Sequence, residues 1–296
     1  MAIVIRFSVH RPGDPPQLPP LRTSYSRYLA VDIGEELAAL VSLALGIRCV
    51  SGGLTREFRV DGDPRGRHLG YEHKTPHLAR PPALHGSQLP RVARDASGGQ
   101  RQIVLEEAVP LLQRYPYASQ KKALALVRAA RLYAQAIWTA DADAQTAWLA
   151  LVTACEVAAA ERYGAYDPKR KARQKRPPQP AARFTNFICR YSPEPPQERP
   201  DLGAVDWSQM QSHADWIYHW RSRALHDGIP FPPTTEVPRA YGGNNVPVEA
   251  PLGLGSSTGT SSWRREVTPM LLHTFAYIVR SSLIRWWRET RVRKAL

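Results

Sequence analysis

The stretch 206–228, DWSQMQSHADWIYHWRSRALHDG, holds the residue types that could do chemistry. Trp207, Met210, Ala214 and Ile217 stand 3, 4 and 3 apart, the apolar seam of one helix; the next step of four lands on Arg221, with Ala224 three further. An unpaired guanidinium is costly to bury, so Arg221 must face a partner helix, a cleft or an anionic ligand. The plainer alternative is that Arg221 and His226 complement the negative end of the helix dipole. Gly228 suits the position just past a helix end, which places His226 at the exit. Residues five apart on a straight helix are rotated by about 140°. Arg221 and His226 therefore converge on one phosphate only if the helix breaks between them or a second copy supplies the other half.

Arg221-Ser222-Arg223-Ala224-Leu225-His226 fits the R-x4-6-H motif of HEPN domains, and IYHWRSRALHDG resembles the YxxRSxxxHG variant of Apea-like HEPN proteins. A preceding helix pair whose second member reads AWLALVTACE, and a closing helix MLLHTFAYIVRSSLIRWW, resemble those of the family; the likeness spans about residues 105–291. Asp227, standing before the glycine, departs from the commonest pattern. It either acts on His226 as a neighbouring carboxylate or caps a turn.

The resemblance implies a helical bundle that dimerises so that two R-x4-H motifs line one cleft and cut RNA without a metal or other cofactor. A ribose 2′-hydroxyl attacks the adjacent phosphate once a base takes its proton, and the leaving 5′-oxygen needs a proton from an acid; histidine can do either near neutral pH. Arginine stabilises the charge that develops on the phosphorane oxygens. On this reading Arg221 is the phosphate clamp, His226 the acid or base and Ser222 a hydrogen-bonding orienter. Glu156 braces Arg221 or is a simple surface carboxylate. Lys169, Arg170, Lys171, Arg173 and Arg223 are assigned to RNA binding. The family also implies a toxin or antiviral defence effector, with an antitoxin or other defence protein as a possible partner.

Five helices are expected, and the later four must position these groups. The run 35–45 has the apolar density of one buried helix; 119–139 carries Ala123, Leu126, Ala130, Tyr133 and Ile137 on one stripe; Asp143 can N-cap a helix ending at Gly164; and two more run over 206–226 and 263–291. The pair joined by the short turn at 140–143 packs antiparallel. The expected architecture is mainly α: a HEPN-like helical bundle over 101–296, preceded by a small loop-rich α/β unit over 1–100 with strands at 3–7 and 29–33. A Pro- and Arg-rich insert over 164–204 and a long loop over 227–262 interrupt the bundle.

The chain has 296 residues and a formal net charge of +14, which excludes a neutral, inert surface; 43% hydrophobic residues exclude wholesale disorder. Residues 162–176 hold seven basic side chains against one acidic, and 280–294 six against one. Such clusters draw in phosphates but do not separate cleavage from simple binding. The three cysteines, Cys49, Cys155 and Cys189, are far apart with no CxxC pair, which points to a reduced, cytoplasmic setting. No apolar run is long enough to span a bilayer and no secretory pattern opens the chain. His68, His73 and His77 have spacings that fail for a helical zinc site, Asp141 and Asp143 fit a helix start better than a metal pair, and GLGSSTG lacks the lysine of a phosphate loop. Trp286 and Trp287 are expected in the core or a dimer contact. The rival from a different class is a catalytically silent HEPN scaffold that binds RNA or protein. A helix-turn-helix DNA regulator is disfavoured by the long segment after Gly228.

Overall fold

The structure, a computed structural model, describes residues 33–51, 56–59, 69–72, 105–140, 142–164, 179–232, 246–252, 255–258, 261–264 and 270–290. The chain divides into two compact units, Met1–Ala38 with Val50–Ala83, and Ala39–Cys49 with Leu84–Leu296. In the first, β1 (Arg56–Arg59) and β2 (Leu69–Glu72) pair antiparallel, Arg56 opposite Glu72 and Arg59 opposite Leu69. The strand expected at 3–7 and most of that at 29–33 lie outside the described residues, as do His68, His73, His77 and Asp141.

The second unit is mainly helical. It takes in the end of α1 (Ile33–Leu45), then α2 (Val109–Leu112), α3 (Gln120–Thr139), α4 (Ala144–Tyr163), α5 (Pro180–Tyr191), α6 (Met210–His226) and α7 (Leu272–Arg288). Asp143 caps α4 by accepting from the Thr146 amide, as the sequence predicts, and Ser119, expected as the first helical residue, caps α3 by accepting from the Lys122 amide. Lys121 at the start of α3 reaches the Glu161 carbonyl near the end of α4, so this pair is antiparallel.

Around α4 the other helices α3, α5, α6 and α7 are arranged. Its sequence explains why. Ala147, Ala150, Ala154, Ala158 and Ala159 are buried on several sides of the helix together with Trp148, Leu151, Val152 and Cys155, and a helix apolar nearly all round belongs in the middle of a bundle. Small alanines also let neighbouring backbones come close. Trp148 is stacked between Phe231 and Phe275, at 5.2 and 4.8 Å between ring centres. Trp286 and Trp287 are fully buried, which settles them as core residues.

The structure corrects the expected organisation in three places. The insert over 164–204 is not all loop, because α5 lies within it: Pro180 opens the helix, and Phe184, Phe187, Ile188 and Tyr191 form its buried stripe. The loop over 227–262 contains β3 (Gly255–Thr258), which pairs antiparallel with β4 (Ser261–Arg264). The last helix accordingly starts at Leu272 and not near 263, because 261–264 is used as a strand.

Candidate functional site

Helix α6 carries the site, and its neighbours fix its height and rotation. At its start Asp206 accepts from the Ser208 amide, and a single 3-10 turn, Trp207–Gln209, leads into Met210. Met210, Ala214 and Ile217 are buried as the seam requires. Thr185 of α5 donates to Asp215 at 2.7 Å, and Phe184 packs against Tyr218 with ring centres 5.4 Å apart. Past the exit, Gln145 at the start of α4 clamps Phe231 through both backbone groups: its amide nitrogen donates to the Phe231 carbonyl at 3.1 Å and its carbonyl accepts from the Phe231 amide at 2.7 Å.

Arg221 sits in the seam with its charge compensated. Its Nη2 donates to Glu156 Oε2 at 2.9 Å, and Tyr218 donates to Oε1 of the same carboxylate at 3.0 Å. The guanidinium carbon lies 5.5 Å from the centre of the Tyr218 ring. The two charged side chains are 21% and 18% exposed, so the pair is neither a solvated surface contact nor sealed. Arg221 Nε is buried with no hydrogen-bond partner among the described residues. Burial and the Glu156 charge both push the Tyr218 phenol above its ordinary value, which keeps it a donor. Of the readings open for Glu156, the brace is the one the structure shows.

His226 is at the helix exit and exposed. The helix is unbroken from Met210 to His226; Asp227 is its C-cap and Gly228 follows with φ 67°, the left-handed conformation that glycine accepts without strain. Of the two ways for Arg221 and His226 to converge, a break between them is therefore excluded. Asp227 directs its carboxylate to Arg223, 3.6 Å away, as well as ending the helix. Ser222 is half-buried and makes no side-chain hydrogen bond among the described residues, so it is not brought onto either group. Lys169, Arg170, Lys171 and Arg173 lie outside the described residues.

Part of the basic run over 280–294 has structural work. Arg280 donates to the carbonyls of Leu43 and Ala44, at 2.9 and 2.5 Å, capping the end of α1, and Arg285 donates to the Ser192 carbonyl at 2.7 Å. Among the described residues no group of three or more His, Cys, Asp or Glu side chains is placed to hold a metal ion, and no helix is long and apolar enough to cross a membrane. Tyr218 and His219 were not singled out by sequence reasoning, although Tyr218 occupies the first position of the YxxRS pattern and His219 stands four before Arg223. Compared with protein-family models, curated proteins and solved structures, the chain matches none.

Proposed function

We propose that this chain is an endoribonuclease that cuts RNA by 2′-hydroxyl transesterification, with Arg221 as phosphate clamp and His226 as acid or base, in a HEPN-like bundle acting as a homodimer. The observation that carries the reading is the treatment of Arg221: it replaces an apolar seam residue, is braced by Glu156 from the central helix, whose carboxylate Tyr218 of α6 also holds, and its side chain is still partly exposed. A bound phosphate oxygen accepts from a guanidinium that is already oriented, and the cost of ordering the arginine is met before the substrate arrives. With α6 unbroken, this reading takes the other half of the site from a second copy. The net charge of +14 steers a polyanion toward the protein. A role as a toxin or defence effector follows from the motif resemblance.

The ion pair itself favours one rival. Arg221 bonded to Glu156 also knits α6 to α4, which is all that a silent scaffold needs. Purified protein incubated with end-labelled RNA separates the two. The nuclease reading expects fragments ending in 2′,3′-cyclic phosphate with and without EDTA, whereas a scaffold binds the RNA and leaves it whole.

A further inference from the structure

On α6, His219, Arg223 and His226 follow one another at spacings of four and three, which sets them within an arc of about 60° on the helix surface. The face they share is turned away from the core. His219 and His226 are exposed and Arg223 partly so, while Met210, Ala214 and Ile217 are buried on the other side. The bed of this face is aromatic: the His219 ring stands edge-on to Trp216 at 5.4 Å and to Trp220 at 5.3 Å, and the Arg223 guanidinium lies 5.5 Å from the centre of the Trp220 ring. Imidazole and guanidinium are thus each seated against an indole. Asp227 reaches Arg223 from the solvent side, the kind of screened contact that a phosphate displaces. The polar groups that α4 and α5 turn toward α6 are engaged by its other side chains: Glu156 holds Tyr218 and Arg221, Arg183 acts on Tyr218, and Thr185 donates to the Asp215 carboxylate.

We infer that this face holds the scissile phosphate of single-stranded RNA, with Arg223 beside the Arg221 of a second copy on its oxygens and His219 as the second proton carrier beside His226. The inference rests on the ribonuclease reading and deepens it, because the reaction moves two protons at opposite ends of the phosphate. One imidazole takes the 2′-hydroxyl proton as O2′ bonds to phosphorus. The P–O5′ bond breaks, and the other ring, protonated, gives its proton to O5′. The products are a 2′,3′-cyclic phosphate and a 5′-hydroxyl, and no further reactant is consumed. Seven residues rise about 10.5 Å along a helix. Two hydrogen bonds of about 2.8 Å and the in-line oxygen–phosphorus–oxygen span come to about 9 Å, so two side chains rooted about 10.5 Å apart reach both ends by leaning about 1.5 Å toward each other. Half-buried Trp216 offers a flank on which a neighbouring base can stack.

The test measures single-turnover cleavage of a fluorophore-labelled, mixed-sequence single-stranded RNA by the full chain and by His219→Ala and Arg223→Gln, with the all-2′-deoxy strand as a binding control. The expected result is a loss of about 10²-fold or more in rate for each variant, near-unchanged affinity of His219→Ala for the deoxy strand, and partial restoration of its rate by added imidazole. A His219→Ala protein that cuts at the wild-type rate overturns the inference and leaves the ribonuclease reading intact. So does a slow variant that imidazole does not rescue, which would make His219 a packing residue only. Wild-type protein that cuts no RNA overturns both.

Discussion

Arg221 donates to Glu156 at 2.9 Å across the packed faces of α6 and α4, and that single bond joins the one arginine of the α6 seam to a carboxylate at the middle of the central helix. Glu156→Gln keeps the shape and removes the charge. It is expected to destabilise the fold by about 1–2 kcal/mol, less than for a sealed pair because both groups retain some solvent. RNA cleavage should fall about tenfold as the guanidinium loses its brace. Urea unfolding and a cleavage assay on the same preparation check this; wild-type values in both would reduce the pair to an incidental contact.

The unbroken α6 separates Arg221 from His226 by about 140° in one copy, so the dimer account predicts complementation. Arg221→Ala and His226→Ala should each lose about 10²-fold or more of the activity alone. Mixed in equal amounts and allowed to exchange subunits, they should regain about a quarter of wild-type activity, because half of the dimers are mixed and one of the two sites in each is intact. Light scattering must show a dimer under the same conditions. An active species that is strictly monomeric contradicts the prediction.

RNA binding should weaken steeply with salt, since several Lys and Arg release counterions from the backbone. Neutralising Lys169, Arg170, Lys171 and Arg173 together should lower affinity more than it lowers the rate of bound RNA. Filter binding over a salt series, against single-turnover rates, gives the comparison. An unchanged affinity and salt slope would make the cluster a solvated stretch with no part in recognition.

His273, in the first turn of α7 beside Thr274 and near Glu249, gives the fold a pH dependence of known sign. Loss of solvation disfavours its imidazolium and pushes its pKa from 6.5 down to about 4, with the Glu249 charge opposing in part. The unfolded chain therefore takes up this proton first as pH falls, and the fold loses stability between about 6.5 and about 4. The loss is on the order of 3 kcal/mol for this group. His273→Asn should flatten that part of the stability curve in urea titrations at successive pH values. An unchanged slope assigns the pH dependence to other groups.

What could be read in the sequence was what local chemistry decides. Asp143 announced its helix because a carboxylate ahead of an apolar stripe has one obvious use. Arg221 stood out because it broke a seam, and the partner found for it, Glu156, interrupts an otherwise apolar run. Helix α5 was hidden by its flanks: the prolines and arginines around it read as loop, although Phe184, Phe187, Ile188 and Tyr191 have helical spacing. The late start of α7 depends on strand pairing of 261–264 with 255–258, a non-local contact that no window of sequence contains. His219 was passed over for a similar reason. Its neighbours Trp216 and Trp220 lie off the apolar seam, and only the folded helix shows them flanking one ring.

The most direct measurement is the rate at which His226→Ala and Arg221→Ala cut labelled RNA in the presence of EDTA, beside wild type. Wild type should cut regardless of the chelator, and each variant should fall by about 10²-fold or more while its circular dichroism spectrum and unfolding midpoint stay close to wild type. Arg221→Ala can be somewhat less stable, since Glu156 is then left without its cation. Cleavage at the wild-type rate by either variant, or wild-type activity that disappears with EDTA, would contradict the account and leave a helical scaffold in its place.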